Sequence, residues 1–273
     1  MTGKRSEIAR HIDIVRILTA ASYRRLMAYP IDFGIGLAGF LIQVGLSVLV
    51  LVAVFGQVNA LAGWTLNEAM FLLGTSMTTK GFDHCFTDQL WELARKLVQR
   101  GEFVRYLIRP AQPLVMLLSE RFLYPDGIGE LLGGLMITVV ALVRLAHEGM
   151  FPSGSGRWIC WAALMLCGTL VYSSTKLILA SCAFWTTTSF NLMTAIYHLF
   201  NAAQYPLTVF PFLFKVILTG VVPVALTGYV PADVLLHGFS FIALVTPFIT
   251  FAFVALAFML WARGIHYFEA VGG

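Results

Sequence analysis

Long apolar stretches separated by short polar ones dominate the pattern of this chain. A helix needs about 20 mostly apolar residues to cross a membrane, and six stretches are candidates. They cover residues 32–55, 66–88, 122–145, 157–180, 207–227 and 238–261. Runs such as VGLSVLVLVAVF are continuously apolar, whereas the strands of a membrane barrel alternate between apolar and polar positions. The pattern therefore predicts an all-α polytopic membrane protein with six transmembrane helices.

The composition supports this class. Of the 273 residues, 59% are hydrophobic and 12% are charged, against about 25% charged in a soluble domain. A soluble chain of this length could not bury so much apolar surface in one core. The net charge of +4 does not indicate a nucleic-acid partner, because Lys and Arg in a membrane protein mark the cytoplasmic side.

The first 30 residues predict a separate element. Ile8, Ile12, Val15 and Leu18 recur at helical spacing, and arginines lie between them. Such an amphipathic helix lies in the membrane interface, and Pro30 ends it. We expect residues 31–273 to form the transmembrane domain. Charge continues to residue 25 before the first long apolar run, so the first span is expected to be a retained signal anchor.

One segment between the second and third predicted spans, residues 89–113, is strongly basic, and we call it the basic segment. It contains Arg95, Lys96, Arg100, Arg105 and Arg109. The N-terminal segment is also basic, whereas loops 56–65 and 228–237 contain no Lys or Arg. The positive-inside rule then places both termini and the basic segment in the cytoplasm. Arg144 and Arg157 argue against this orientation but are outnumbered.

Residues 181–206 are too polar for a confident span and contain no Lys or Arg. We interpret them as an interfacial or partly inserted helix on the cytoplasmic side.

Polar residues inside the spans are candidates for a substrate passage. The second span is unusually rich in hydroxyl groups, which either bond to neighbouring helices or line a polar path. Lys215 lies in an apolar run, where a charge at mid-bilayer costs about 2.5–3.5 kcal/mol. It could snorkel, face a cavity or pair with a carboxylate. The passage candidates are Gln43, Thr75, Ser76, Thr79 and Lys215.

Short motifs exclude several chemistries. The match to GxGxxG from Gly34 to Gly39 opens an apolar span and predicts close helix packing. The GxxxG of Gly129 and Gly133 predicts a helix contact, either within the chain or between chains. The sequence contains no Walker A motif, so ATP would be bound by another chain. The four cysteines predict buried thiols, and we expect neither a metal nor a cofactor on this chain.

The order and spacing of several short motifs indicate a family. They are Gly63-Trp64-Thr65, Gly101-Glu102, residues 106–110, Tyr205-Pro206-Leu207, Pro223, residues 229–232 and residues 263–267. Over essentially its whole length, the chain resembles the permease subunits of ABC-2 type exporters, in particular the viologen-exporter-type branch. Val104 departs from the family pattern, which has an acidic residue near this position.

The resemblance implies a permease that dimerises, with itself or with a sister permease, and docks on two ATPase subunits that bind ATP and magnesium. A coupling helix at about residues 95–110 of the basic segment would receive the ATPase motion. The docking residues would be Glu102, Phe103, Arg105, Tyr106, Leu107 and Arg109, with Phe103, Tyr106 and Leu107 as apolar anchors. The protein would lie in a bacterial inner membrane and export a hydrophobic or amphipathic compound.

The same residues are consistent with other hypotheses. The basic segment could instead be an interfacial helix held by anionic lipid. Asp83, His84 and Asp88 cluster near the end of the second span, and they either cap it or serve a membrane-embedded enzyme. A third possibility is a non-transporting scaffold that recruits a soluble partner through the basic segment.

Overall fold

A computed structural model describes residues 16–270, except residues 18, 22, 25–27, 29, 110 and 153. The predicted interfacial helix over residues 5–28 therefore falls largely outside the described residues. The described residues form helices and no β-strand. The helices are α1 (Pro30–Phe55), α2 (Leu66–Thr87), α3 (Gln89–Glu92), α4 (Val104–Leu107), α5 (Pro113–Ser119), α6 (Pro125–His147), α7 (Ser155–Ser181), α8 (Ala183–Thr186), α9 (Phe190–Phe200), α10 (Phe212–Val216), α11 (Tyr229–Leu236) and α12 (Phe241–Ala270).

Four helices in the described part of the chain are long and apolar enough to cross a membrane. These segments are Phe33–Phe55, Pro125–His147, Ser155–Thr186 and Phe241–Phe268. They correspond to the first, third, fourth and sixth predicted spans. The second predicted span is the 22-residue helix α2, which is too polar to meet the same criterion and is enclosed by the other helices. The all-α polytopic fold is thus confirmed.

Helices α2 and α6 pack with their backbones in contact. A Cβ atom on Gly74 or Gly81 of α2 would overlap backbone atoms of α6, and one on Gly127 or Gly134 of α6 would overlap backbone atoms of α2. Small residues at a helix interface permit this close approach, which dispersion forces then stabilise. The α2–α6 pair is therefore the tightly packed centre of the bundle.

The two predicted glycine motifs behave differently. Gly129 and Gly133 of α6 face Phe40 and Val44 of α1, so the GxxxG motif makes a contact within the chain. A Cβ atom on Gly39 of α1 would meet nothing within 4 Å. The prediction of close packing at the GxGxxG match is therefore wrong at Gly39, which faces open space.

The fifth predicted span, residues 207–227, is not a continuous helix. It divides into short helical pieces at Leu207–Val209, Phe212–Val216, Ile217–Val221 and Val224–Thr227. Pro206, Pro211 and Pro223 lie before three of these pieces, and proline lacks the backbone N–H that a helix interior needs. The prediction of one uninterrupted crossing here is wrong because these prolines divide it.

Helices α9 and α11 flank these pieces in the chain. Helix α9 begins beside the basic segment, where the Ser189 backbone N–H donates to the Ala94 carbonyl at 3.0 Å. It reaches Lys80 of α2, whose Nζ donates to Asn201 Oδ1 at 3.2 Å. Helix α11 continues to the opposite end, where His237 Nε2 lies 3.3 Å from Glu68 Oε1. The predicted helix within 181–206 thus includes α9, whose Tyr197 ring stacks 6.2 Å from the ring of His84 on α2. Its interfacial or partly inserted position stays a prediction.

Candidate functional site

The basic segment is a compact unit at one end of the bundle. Helix α2 continues through Asp88 into α3 and then into a π-helical turn, Leu93–Leu97. Helices α4 and α5 follow, and the apolar side chains of the segment form a core with α7, α8 and α12. Helix α2 therefore runs directly into this unit, with only Asp88 between α2 and α3.

Two of the predicted docking residues point inward. Phe103 and Tyr106 are both 0% exposed, and the ring of Phe103 packs against Phe184, Trp261 and Phe268. The prediction that these two side chains serve as apolar anchors for a partner is therefore wrong. They attach the basic segment to the bundle, and half-buried Leu107 packs against the same core.

The outward surface of the basic segment consists of other residues. Arg100, Arg105, Ile108 and Arg109 are exposed, and 78% of Ile108 is accessible. We call these four residues the exposed tip. Glu102 is only partly exposed. Sequence reasoning identified Arg105 and Arg109 but missed Ile108. The three-residue spacing of Phe103 and Tyr106 was a usable signal, because it places these two aromatic side chains on one helix face.

The carboxylate of Glu120 joins several parts of the basic segment through hydrogen bonds. Glu120 Oε2 accepts hydrogen bonds from the Tyr106 hydroxyl at 2.6 Å, Gln89 Nε2 at 2.9 Å and Arg105 NH2 at 3.0 Å. Burial and the bond to Glu120 raise the pKa of Tyr106 to about 12. The hydrogen bond to the Tyr106 hydroxyl raises the pKa of Arg105. These bonds join the helical turn of the exposed tip to the start of α3.

Beside the tip lies a polar groove of about 480 Å³ with side chains of both charges. Arg121 NH2 lies 2.9 Å from Glu92 Oε1, and Lys96 Nζ lies 3.0 Å from Glu92 Oε2. Burial alone would raise the pKa of Glu92, but Lys96 and Arg121 lower it below its ordinary value. The ion pairs of Glu92 with Lys96 and Arg121 therefore stabilise the walls of the groove at neutral pH.

Buried ion pairs connect α2 to its neighbours. Lys176 Nζ of α7 lies 2.6 Å from Asp83 Oδ2. On α6, Glu130 lies 3.4 Å from Lys80 Nζ and 2.6 Å from His84 Nδ1. Buried charges require such partners, because an isolated charge in a low-dielectric interior is very costly. Sequence reasoning missed the roles of Glu130 and Lys176, although single charges in the third and fourth spans were a signal for them.

The structure separates the members of the proposed enzyme cluster. Asp83 is 1% exposed and is occupied by Lys176, whereas His84 bonds to Glu130. His84 and Asp88 line a cavity of which Asp83 is not part. The three residues therefore do not share one accessible site.

Most of the predicted passage residues are packed between helices. Thr75, Ser76 and Thr79 are 0% exposed, and the Thr79 hydroxyl donates to the Thr75 carbonyl at 3.0 Å. None of them lines either of the two cavities described next, and their role in a passage stays a prediction. Lys215 lies on α10 and also lines neither cavity.

Two cavities lie along α1, and Gln43 lines both. The inner cavity, of about 380 Å³, lies towards the basic segment and includes His84, Asp88, Trp91 and Asp126. The outer cavity, of about 200 Å³, is more apolar. Its lining residues are Gln43, Leu46, Ser47, Val50, Leu51, Leu73, Gln204 and Tyr205.

These features define a multi-pass helical membrane protein with a braced segment at one end and cavities between its helices. The sequence model of the family described as ABC-2 family transporter protein matches residues 41–272. The chain belongs to this family, and it is a permease subunit of an ABC exporter that works with an ABC ATPase subunit. Family membership makes it the membrane component of the transporter and not itself an ATPase. The match does not select the viologen-exporter branch. No curated protein matched the sequence significantly.

Proposed function

We propose that this permease docks on its ATPase through the exposed tip and exports an amphipathic compound with a cationic end. Its passage is completed by a second permease, either an identical copy or a sister subunit. The basic segment and both termini lie in the cytoplasm of a bacterial cell, where the ATPase has access to ATP and magnesium.

The observation that carries the docking role is the combination of an outward apolar side chain with a rigid support. Ile108 is 78% exposed and precedes the exposed Arg109 in the chain, while Phe103 and Tyr106 fix the same turn to the bundle. Interfaces concentrate binding energy in a few desolvated anchors surrounded by polar groups. An apolar pocket with carboxylates at its rim would complement this tip in shape and charge.

The inner cavity supports the cargo class. Asp88 and Asp126 supply carboxylates, and the rings of Trp91 and Tyr197 lie in the same wall. Aromatic faces and carboxylates both attract organic cations, and the aromatic attraction strengthens when water is excluded. Asp88 also lies 3.6 Å from Arg121 NH1, so Asp126 is the more available carboxylate. The apolar remainder of the cargo would contact the aliphatic parts of α1.

Coexpression with the co-encoded ATPase tests the docking role. Ile108→Ala and Arg109→Glu should each reduce the permease-stimulated ATPase rate in lipid about tenfold, which corresponds to about 1.4 kcal/mol of lost interaction. Arg144→Glu is the matched control, because Arg144 is exposed in the last turn of α6, at the end of that helix away from the basic segment. Equal stimulation by all three variants would contradict docking at the tip.

The same preparation distinguishes docking from attachment to anionic lipid. If the tip binds lipid headgroups, Arg109→Glu should lower the affinity for vesicles containing phosphatidylglycerol and leave copurification of the ATPase unchanged. The proposal predicts the reverse: copurification is lost even in neutral lipid.

A further inference from the structure

We infer that the exported compound moves along one face of α1, from the inner cavity past Gln43 into the outer cavity, and that Gly39 and Gln43 set the width of this route. The inference rests on the proposed export function and adds the path and its selective residues.

The route follows from the spacing of residues on α1. Gly36, Gly39, Gln43, Ser47 and Val50 line the two cavities and follow one another at intervals of three or four residues. Such residues share one face of a helix. Because Gln43 belongs to both walls, the two cavities meet at its side chain.

Glycine residues, which have no side chain, leave open space at the inner end of the route. A Cβ atom on Gly39 would have no heavy atom within 4 Å, and one on Gly36 would lie 3.4 Å from Asp126 Oδ1. Glycine is unfavourable in a helix interior by roughly 1 kcal/mol relative to alanine. No packing contact offsets this cost at Gly39, so open space beside the inner cavity is what the glycine provides.

The chemistry of the walls changes on passing Gln43. The inner cavity contains carboxylates and imidazole, whereas Leu46, Val50 and Leu73 contribute apolar surface to the outer one. Gln43 is neutral and both donates and accepts hydrogen bonds. It would hold a polar group at the junction without the strong attraction that a charge would exert on a cation.

The outer cavity reaches Asn201–Gln204, a short helical turn that directly follows α9. Gln204 and Tyr205 line it, and Asn201, at the start of the same short turn, accepts a hydrogen bond from Lys80 at 3.2 Å. Lys80 lies on α2, which continues into the basic segment. A shift of α2 would therefore reach Tyr205 through a short chain of contacts, which links docking to the exit of the route.

Space-filling substitutions on α1 test the route. Gly39→Leu and Gln43→Trp place bulk in it, and their controls are Gly45→Leu and Ile42→Trp. Gly45 also has nothing within 4 Å of a Cβ atom and lies on the opposite face of α1, since a step of two positions from Gln43 rotates by about 200°. Ile42 is 64% exposed. All four variants are expected to fold, because none adds atoms to a packed contact.

The permease–ATPase complex would be reconstituted in vesicles, with rhodamine 6G as an amphipathic cationic probe. We expect Gly39→Leu and Gln43→Trp to reduce ATP-dependent transport at least tenfold and Gly39→Leu to weaken probe binding at least tenfold, with both controls unchanged. Copurification of the ATPase should be normal in all four variants.

The outcomes separate the two proposals. If the ATPase does not copurify with the unmodified permease, or does not depend on the exposed tip, the proposed docking fails. If the unmodified complex transports the probe and the two route variants transport it equally well, the route along α1 is overturned. The same holds if the control variants lose as much transport as the route variants, or if the docked complex neither binds nor moves the probe.

Discussion

Helices α2 and α12 are both long enough to cross a membrane, but they place their polar and apolar residues in opposite environments. In α2, 18 of 22 residues are buried, including Lys80, Asp83 and His84. In α12, large apolar side chains point outward, and Phe248 and Phe251 are 73% and 76% exposed. The polar helix is the interior of this protein and the apolar helix is its surface.

The difference shows what holds such a bundle together. Lipid tails are as apolar as leucine, so burying a leucine between helices gains little over leaving it in lipid. Close backbone packing and satisfied polar groups remain as the selective forces. Helix α2 combines glycine contacts with α6 and ion pairs with α6 and α7. The high polarity of the long helix α2 was therefore a sign that it lies at the centre of the bundle.

The largest expected effect comes from breaking the backbone contact of α2. Gly81→Leu would push a side chain into the backbone of Leu131. Because a helix backbone cannot move aside as a side chain can, the cost should exceed the usual range for overpacking and prevent native packing of α2 on α6. We expect little monodisperse protein by size-exclusion chromatography in detergent. Gly45→Leu should elute as the unmodified protein does, and similar yields of both variants would contradict the assigned packing.

Loss of a buried charge partner should be the next largest effect. Glu130→Ala leaves Lys80 without its carboxylate, and breaking a buried pair costs about 3–5 kcal/mol. We expect a clear drop in thermal unfolding temperature in detergent. Replacing both residues with methionine should recover much of the loss, because the unpaired charge disappears. An equal loss in the double variant would show that the ion pair is not the cause.

A smaller and pH-dependent effect is expected where α2 continues into the basic segment. Tyr106→Phe removes the hydrogen bond to Glu120, which is worth about 1 kcal/mol. The pKa of Tyr106 is raised in the folded state from 10.0 to about 12, so its stabilising contribution is complete below pH 10. It is lost as the pH rises through about 12, because the unfolded state ionises first.

Thermal unfolding of the unmodified protein and Tyr106→Phe at pH 8 and pH 11 checks this. The difference between the two proteins should shrink at the higher pH. A difference that stays constant would mean that Tyr106 ionises equally in both states.

The smallest effect belongs to the outer surface of α12. Phe251→Ala should change the free energy of unfolding by no more than about 0.5 kcal/mol, because exposed substitutions rarely do more. Phe71→Ala on α2, at a residue that is 0% exposed, should cost about 3–5 kcal/mol. Comparable losses in the two variants would indicate that the face of α12 containing Phe251 is covered by a partner.

Features that depend on neighbouring residues could be predicted from the amino-acid sequence. Apolar runs located α1, α6, α7 and α12, because a membrane-spanning helix satisfies its own backbone hydrogen bonds and needs only length and apolarity. Local clustering identified the basic segment, and the GxxxG spacing of Gly129 and Gly133 predicted a helix contact. The family resemblance depended on the order of short motifs.

Which side chains face outward and which meet across the bundle depends instead on contacts between helices that are distant in the chain. Phe103 and Tyr106 look like exposed anchors in the sequence, yet contacts with α8, α12 and Glu120 turn them inward. Lys176 and Asp83 are 93 positions apart, and no local pattern predicts that they pair. The cavities beside Gln43 likewise depend on helices distant in the chain, because cavities and ion pairs form between elements.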